Sequence, residues 1–320
     1  MRTLRAAALC CGLVLAAAGA QGKDVLPESG PLGDNSVGRL TLLDAANLGN
    51  RIVAVGDRGY VVYSEDGGAK WSRAKAPPAP LLTAVFFADA SNGWAVGHDS
   101  VILATSDGGV TWTQQFSAAA EQRPLLDVLF LDGKSGIAVG AYGAYYETSD
   151  GGKSWNAGKA TQDDKHLNAI LKVAEGKLLI LGEAGTILVS DDSGKKWTAV
   201  PSPYKGSLFG AVVAADNAIV AYGLRGRIYR STDAGKTWKQ VESVSQATLM
   251  GGTRLPDGAI VLAGAAGTAL VSRDNGQSFQ PLPTGTTRAF SNAVLGGPNT
   301  LLLLGEAGAR PVTVPSAPKH

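Results

Sequence analysis

The chain has 320 residues, of which 45% are hydrophobic, 18% charged and 42 glycine. That apolar share builds a sizeable core and excludes a mainly disordered chain, and so much glycine favours tight turns over long helices. The formal net charge is only +2, and Arg2 and Arg5 of the first segment account for it, so the basic excess of a nucleic-acid binder is missing.

Residues 1–20 read as an export signal. Arg2 and Arg5 make a positive start, Ala6 to Ala18 is apolar but short for a membrane span, and Ala18-Gly19-Ala20 places the cut before Gln21. No later stretch is long and apolar enough to span, so a soluble, exported protein, periplasmic or secreted, is expected. Cys10 and Cys11 both fall in the signal. The mature chain therefore offers no disulfide, thiol chemistry or cysteine metal site.

The body is one motif repeated. Ser64-Glu65-Asp66-Gly67-Gly68-Ala69-Lys70-Trp71 returns five times, with Ser or Thr first, Asp two later, Gly two after that and an aromatic three further on. The aspartates are Asp66, Asp107, Asp150, Asp192, Asp233 and Asp274; the aromatics are Trp71, Trp112, Trp155, Trp197, Trp238 and Phe279. The aspartates are spaced by 41, 43, 42, 41 and 41 residues. Before each box runs an apolar stretch ending in Gly, and a seventh such stretch, Leu301 to Gly305, has no box after it.

Each unit reads as four short strands. In the second these are Leu82–Phe87, 93–96, 101–104 and, after the box, Thr113–Phe116. This period and strand count predict an all-β, seven-bladed propeller of four-stranded antiparallel blades. The domain runs over 21–320 in units 39–80, 81–123, 124–166, 167–206, 207–247, 248–288 and 289–314 plus 24–32. Unit seven lacks a fourth strand, and Asp24-Val25-Leu26-Pro27 looks like the outer strands of other units. The N-terminal segment is therefore expected to complete the last blade.

The boxes resemble the Asp-box, or BNR repeat, of secreted propellers. Their physics is local: Asp accepts N–H bonds within its own turn, Gly supplies positive φ, and the aromatic folds between neighbouring sheets. Six aspartates spread around a rim do not converge on one bond, and a calcium loop needs its oxygens in one segment. They are expected to be turn staples.

A site is expected on the opposite face, where the turns between second and third strands vary. Its candidate residues are Asp57, Arg58, His98, Tyr142, Glu183, Arg225 and Arg227. Arginine suits carboxylates and interface anchors. The three histidines, His98, His166 and His320, are scattered, which argues against a zinc site. Nucleophile-elbow, phosphate-loop and dinucleotide motifs are missing, so no cofactor and no catalytic residue is assigned.

The repeat Ala95-Val96-Gly97 through Thr105-Ser106-Asp107-Gly108-Gly109-Val110-Thr111-Trp112, and Ile137 to Gly140 through Thr148 to Trp155, resembles the photosystem II stability/assembly factors and their bacterial relatives. The resemblance covers roughly Asp24 to Val314. It implies a seven-bladed, non-catalytic propeller on the exported side that binds a membrane protein subunit partly through arginines; Arg58, Arg225 and Arg227 are the matching candidates, and a monomer is expected. The competing readings are an exported glycoside hydrolase of the sialidase type and a plain interaction or sensing module. Sialidases carry an early Arg-Ile-Pro motif that this chain lacks, leaving Asp57, Asp99, Glu183 and Glu306 as the acids on the variable turns.

Overall fold

The computed structural model describes residues 27–33, 36–297 and 300–315. Seven antiparallel sheets follow one another along the chain. The innermost strands are Leu42–Asn47, Leu82–Phe87, Leu125–Phe130, Leu167–Ala174, Leu208–Val213, Leu249–Arg254 and Phe290–Leu295. Each packs beside the innermost strand of the next sheet, and Phe290–Leu295 returns to Leu42–Asn47, so the sheets close as the blades of a propeller. The second strands, such as Ile52–Gly56 and Ile260–Gly264, are buried along their whole length. Buried on both faces, they read as continuous apolar runs rather than alternating ones. The core lies between blades: Val53, Val55 and Val61 of blade 1 pack with Leu82, Leu103 and Trp112 of blade 2.

Every innermost strand opens with a β-bulge at its second residue. The bulge aims a side chain toward the central channel or the next blade. Thr83 Oγ1 donates to Leu125 O at 2.7 Å, Asn168 Nδ2 to Leu208 O at 2.8 Å, and Ser291 Oγ to Leu42 O at 2.7 Å. The last of these ties blade 7 to blade 1. The residue after the bulge does the same through carboxylates: Asp44 accepts Val85 N–H at 2.9 Å and Asp127 accepts Ile170 N–H at 2.8 Å. Blade-to-blade staples thus line much of the channel.

The N-terminal segment lies elsewhere than expected. Gly30–Pro31 pairs antiparallel with Ser72–Arg73 and makes a fifth, outermost strand on blade 1, while blade 7 has three strands among the described residues. Residues 24–26 of the expected strand lie outside the described ones. The physical reason is visible at both edges. Blade 7's outer strand, Gly308–Thr313, carries Pro311, which has no N–H for a further ladder. Blade 1 instead offers Trp71 O, which accepts Leu32 N–H at 2.9 Å, and Arg73, whose guanidinium donates to Pro27 O at 2.8 Å. Closure is supplied by the next turn: Val37 and Leu40 are buried against Leu302 and Leu304 of blade 7 and Trp71 of blade 1, and Leu40 O accepts Gly308 N–H.

Candidate functional site

The boxes turn on one face, and each is built alike. In blade 1 the Asp66 carboxylate accepts Lys70 N–H at 2.9 Å, Ala69 N–H at 3.1 Å and the Ser64 hydroxyl at 2.8 Å, while Ser64 Oγ accepts Gly68 N–H at 2.8 Å. Asp107, Asp150, Asp192, Asp233 and Asp274 repeat the pattern. The bonds from Ser154 and Thr148 hold Asp150 down at about 2. At Asp233 burial works upward, but the bonds from Thr237 and Ser231 outweigh it and the carboxyl again sits at about 2. The fifth box residue must be small because it rides on the preceding blade. A Cβ on Gly68 would meet Leu302, and one on Gly276 would meet Val220. These acids are committed to their turns.

The variable turns lie on the opposite face. Their middle residues Arg58, Asp99, Tyr142, Ala184, Arg225 and Ala266 all have φ between 53° and 58°. A side chain in this left-handed region costs about 1 kcal/mol. The next residue is Gly in five of these six turns, because a Cβ there would lie 1.9–2.9 Å from a carbonyl of the loop leading to the next blade. Blade 2 carries Ser100 instead, and its hydroxyl donates to a carbonyl of the corresponding loop, Arg123 O, at 2.7 Å. Turn and loop are therefore locked together, and the middle side chain is pushed outward.

The structure brings only some of the candidates together. Arg225 and Arg227, both exposed, line a groove of about 440 Å³ on blade 5 with Gln240, Glu242, Ser243, Ser245 and Gln246. Val244, 54% exposed, stands on the same loop. Sequence reasoning missed that loop. Ser245 occupies the position that Tyr204 holds in blade 4, where the ring packs 5.9 Å from Tyr229. A small residue leaves the equivalent space open in blade 5, and comparing the loops would have revealed it. Ser243 and Ser245 brace the loop through their own hydroxyls. Tyr142, 49% exposed, and Glu183 meet through His166: the rings are 4.9 Å apart and Glu183 Oε2 lies 3.9 Å from His166 Nε2.

Arg58 belongs to blade 1, three blades from Arg225, so the three arginines do not make one patch. His98 is half-buried, and burial pulls its pKa down. Burial likewise pushes Asp57 up, with Arg58 acting against it. The Glu183 and Glu306 carboxylates each accept a loop N–H at 3.3 Å, from His166 and Ala289. Asp57, Asp99, Glu183 and Glu306 sit on blades 1, 2, 4 and 7 rather than around one bond.

A second polar place, also missed, lies in the central channel. Asp44 and Asp127 line it with Tyr222, in a cavity of about 250 Å³. Burial pushes Asp127 up to about 7, with the nearby Asp44 adding to the rise, and burial raises Asp44 as well. Among the described residues no group of three or more His, Cys, Asp or Glu is placed to hold a metal ion, and no helix is long and apolar enough to cross a membrane.

Comparison with known proteins adds to this. Residues 115–261 match the family model described as photosynthesis system II assembly factor YCF48. No curated protein matches the chain. Among solved structures, the chain is similar to "YCF48 bound to D1 peptide", with 21% identity, a TM-score of 0.70, and coverage of 91% of this chain and 98% of that one. YCF48 from Cyanidioschyzon merolae gives 17% identity, a TM-score of 0.67, and 89% and 98% coverage. The GH74 xyloglucanase of Xanthomonas campestris matches at 12% identity and a TM-score of 0.67, over 85% of this chain but 52% of its own. The family match over residues 115–261 agrees with the resemblance drawn from the boxes, and the two YCF48 structures share the propeller fold.

Proposed function

We propose that this chain, a photosystem II assembly factor-like seven-bladed propeller, is an exported, non-catalytic binding protein that holds a segment of a membrane protein subunit during assembly or stabilisation of its complex. The observation that carries the reading is the blade 5 groove. Two exposed arginines and a braced polar loop line one cleft on the variable-turn side, and the exposed Val244 stands on that loop. Arginine forks pair with carboxylates and peptide carbonyls, and an apolar rim residue adds contact area. The similarity to a propeller whose structure was solved with a peptide supports a peptide as the occupant. The export signal read at residues 1–20 supports the exported side.

An affinity pull-down tests this. Protein spanning Gln21 to His320 is offered detergent-solubilised membranes of its source, beside a variant carrying Arg225→Glu and Arg227→Glu. Recovery of one membrane protein by the unmodified chain and not by the variant is expected. Equal recovery by both discards the groove, and no recovery by either discards the membrane partner.

A further inference from the structure

We infer that the binding surface extends beyond the groove, from blade 5 across blade 4 to Tyr142 of blade 3. Its occupant is one extended stretch of polypeptide, with acidic residues over Arg225 and Arg227 and a lysine or arginine against Tyr142. The inference rests on the binding function proposed above and adds the charge order and the far anchor of the bound segment. The band is continuous. Gly143 N–H, next to Tyr142, donates to Lys165 O at 2.9 Å. His166 then exchanges two bonds with the blade 4 turn: Glu183 N–H donates to its carbonyl at 2.9 Å, and its own N–H donates to the Glu183 carboxylate at 3.3 Å. From that turn Gly185 N–H donates to Gly206 O at 2.9 Å. Tyr204 of the same loop donates its hydroxyl to Leu224 O at 3.3 Å, and Leu224 N–H donates to Ser207 O at 3.0 Å. Arg225 follows, so an unbroken run of bonded turns and loops joins Tyr142 to the groove.

The ends of the band carry the two large hydrophobic side chains that are exposed among the described residues, Tyr142 and Val244. Tyrosine is favoured at interfaces because a stiff ring offers contact area at little entropic cost. Here the ring is also braced: His166 packs against it with 4.9 Å between centroids and 65° between planes, and half of the tyrosine stays open.

The charges divide along the band and select the occupant. At the Tyr142 end a Cβ on Gly143 would lie 3.7 Å from the Cα of Asp164, which is exposed and has no salt bridge among the described residues. Glu183 adds a second acid, while Lys165 is taken up by Asp163 at 2.8 Å. At the groove end Lys205, Arg225 and Arg227 are exposed and without a salt bridge among the described residues, and the groove itself carries one acid, Glu242. A lysine or arginine can meet a tyrosine ring and a carboxylate together, and arginine suits carboxylates. A uniformly acidic ligand would be repelled at the Asp164 end, and a segment laid the other way would set like charges against like at both ends.

Selection from a displayed library of random peptides of about 16 residues, which reach about 50 Å when extended, tests this on immobilised protein spanning Gln21 to His320. Peptides with an acidic cluster toward one end and a lysine or arginine toward the other, in one constant order, are expected. A synthetic copy of a selected peptide is then titrated by fluorescence anisotropy, beside the same peptide with its basic residue replaced by alanine. Tyr142→Ser and Asp164→Lys, both at exposed positions and expected to melt like the unmodified chain, should each weaken the first peptide about threefold and leave the second unchanged. Arg225→Glu with Arg227→Glu should weaken both at least about tenfold. Selection of acidic peptides with no basic end, or equal losses for the two peptides in Tyr142→Ser, overturns the far anchor and leaves the groove standing. Selected peptides that bind the double arginine variant as well as the unmodified chain overturn the groove and this inference with it, as does an empty selection.

Discussion

Replacing Asp233 by alanine separates a turn staple from a working acid. Its carboxylate accepts the Ser231 hydroxyl at 2.8 Å, Thr237 N–H at 2.8 Å and the Thr237 hydroxyl at 2.6 Å. Three bonds to a charged acceptor at ~1 kcal/mol net each would total ~3 kcal/mol. The turn lies on an exposed rim, where water replaces part of this, so a loss of about 2 kcal/mol is expected. With unfolding entropy near 2.1 cal/mol/K per residue, that lowers the melting temperature by about 3 °C. The pH dependence gives an internal control. The Asp233 pKa is about 2 in the folded chain against 3.8 ordinarily. A depressed carboxyl stabilises above its unfolded pKa and loses that contribution as pH falls. The gap between the two proteins should therefore be full above pH ~5 and close as pH falls from about 4 toward 2. Differential scanning calorimetry across that range makes the measurement. An unchanged melting curve at pH 7, or a gap that widens in acid, would refute the staple.

Ala184→Gly should stabilise by about 0.5–1 kcal/mol in a denaturant titration, since relief of the left-handed backbone outweighs the added chain entropy. Gly226→Ala should do the reverse: its new Cβ would sit 2.0 Å from Ser245 O at a φ of +67°, costing about 3 kcal/mol and deforming the Arg225/Arg227 groove, as melting and partner recovery together would register. Asp127, raised to about 7 from 3.8, keeps its proton when folded while the unfolded chain releases it. Stability should therefore fall as pH rises from about 4 to 7, and Asp127→Asn should flatten most of that slope.

What the sequence made legible follows from how far each interaction reaches. The box is a contact of Asp66 with residues two to four positions away, so its chemistry is written in eight letters, and six copies at a near-constant spacing define the blades. The second strands were equally readable, because burial on both faces leaves an unbroken apolar run. The N-terminal strand was misplaced because two blade edges compete for it. The choice rests on Pro311 and Trp71, which lie hundreds and tens of residues away. Asp44 and Asp127 look like ordinary strand residues until the bulges turn them toward the channel. Arg225 and Arg227 were found as unusual members of a variable turn, while their groove depends on Ser245 being smaller than its counterpart Tyr204 in blade 4.

The central claim is that the groove beside Arg225 and Arg227 holds a membrane-protein segment. A photo-crosslinking residue at Val244, on the groove loop and 54% exposed, tests it most directly when the protein is mixed with solubilised membranes and the adducts are sequenced. One at Lys236, on the box face, serves as the control. A single membrane-protein adduct from position 244, lost with Arg225→Glu and Arg227→Glu and missing from position 236, is the expected result. Adducts that form at position 236 instead, or that persist at 244 without the arginines, would contradict the account.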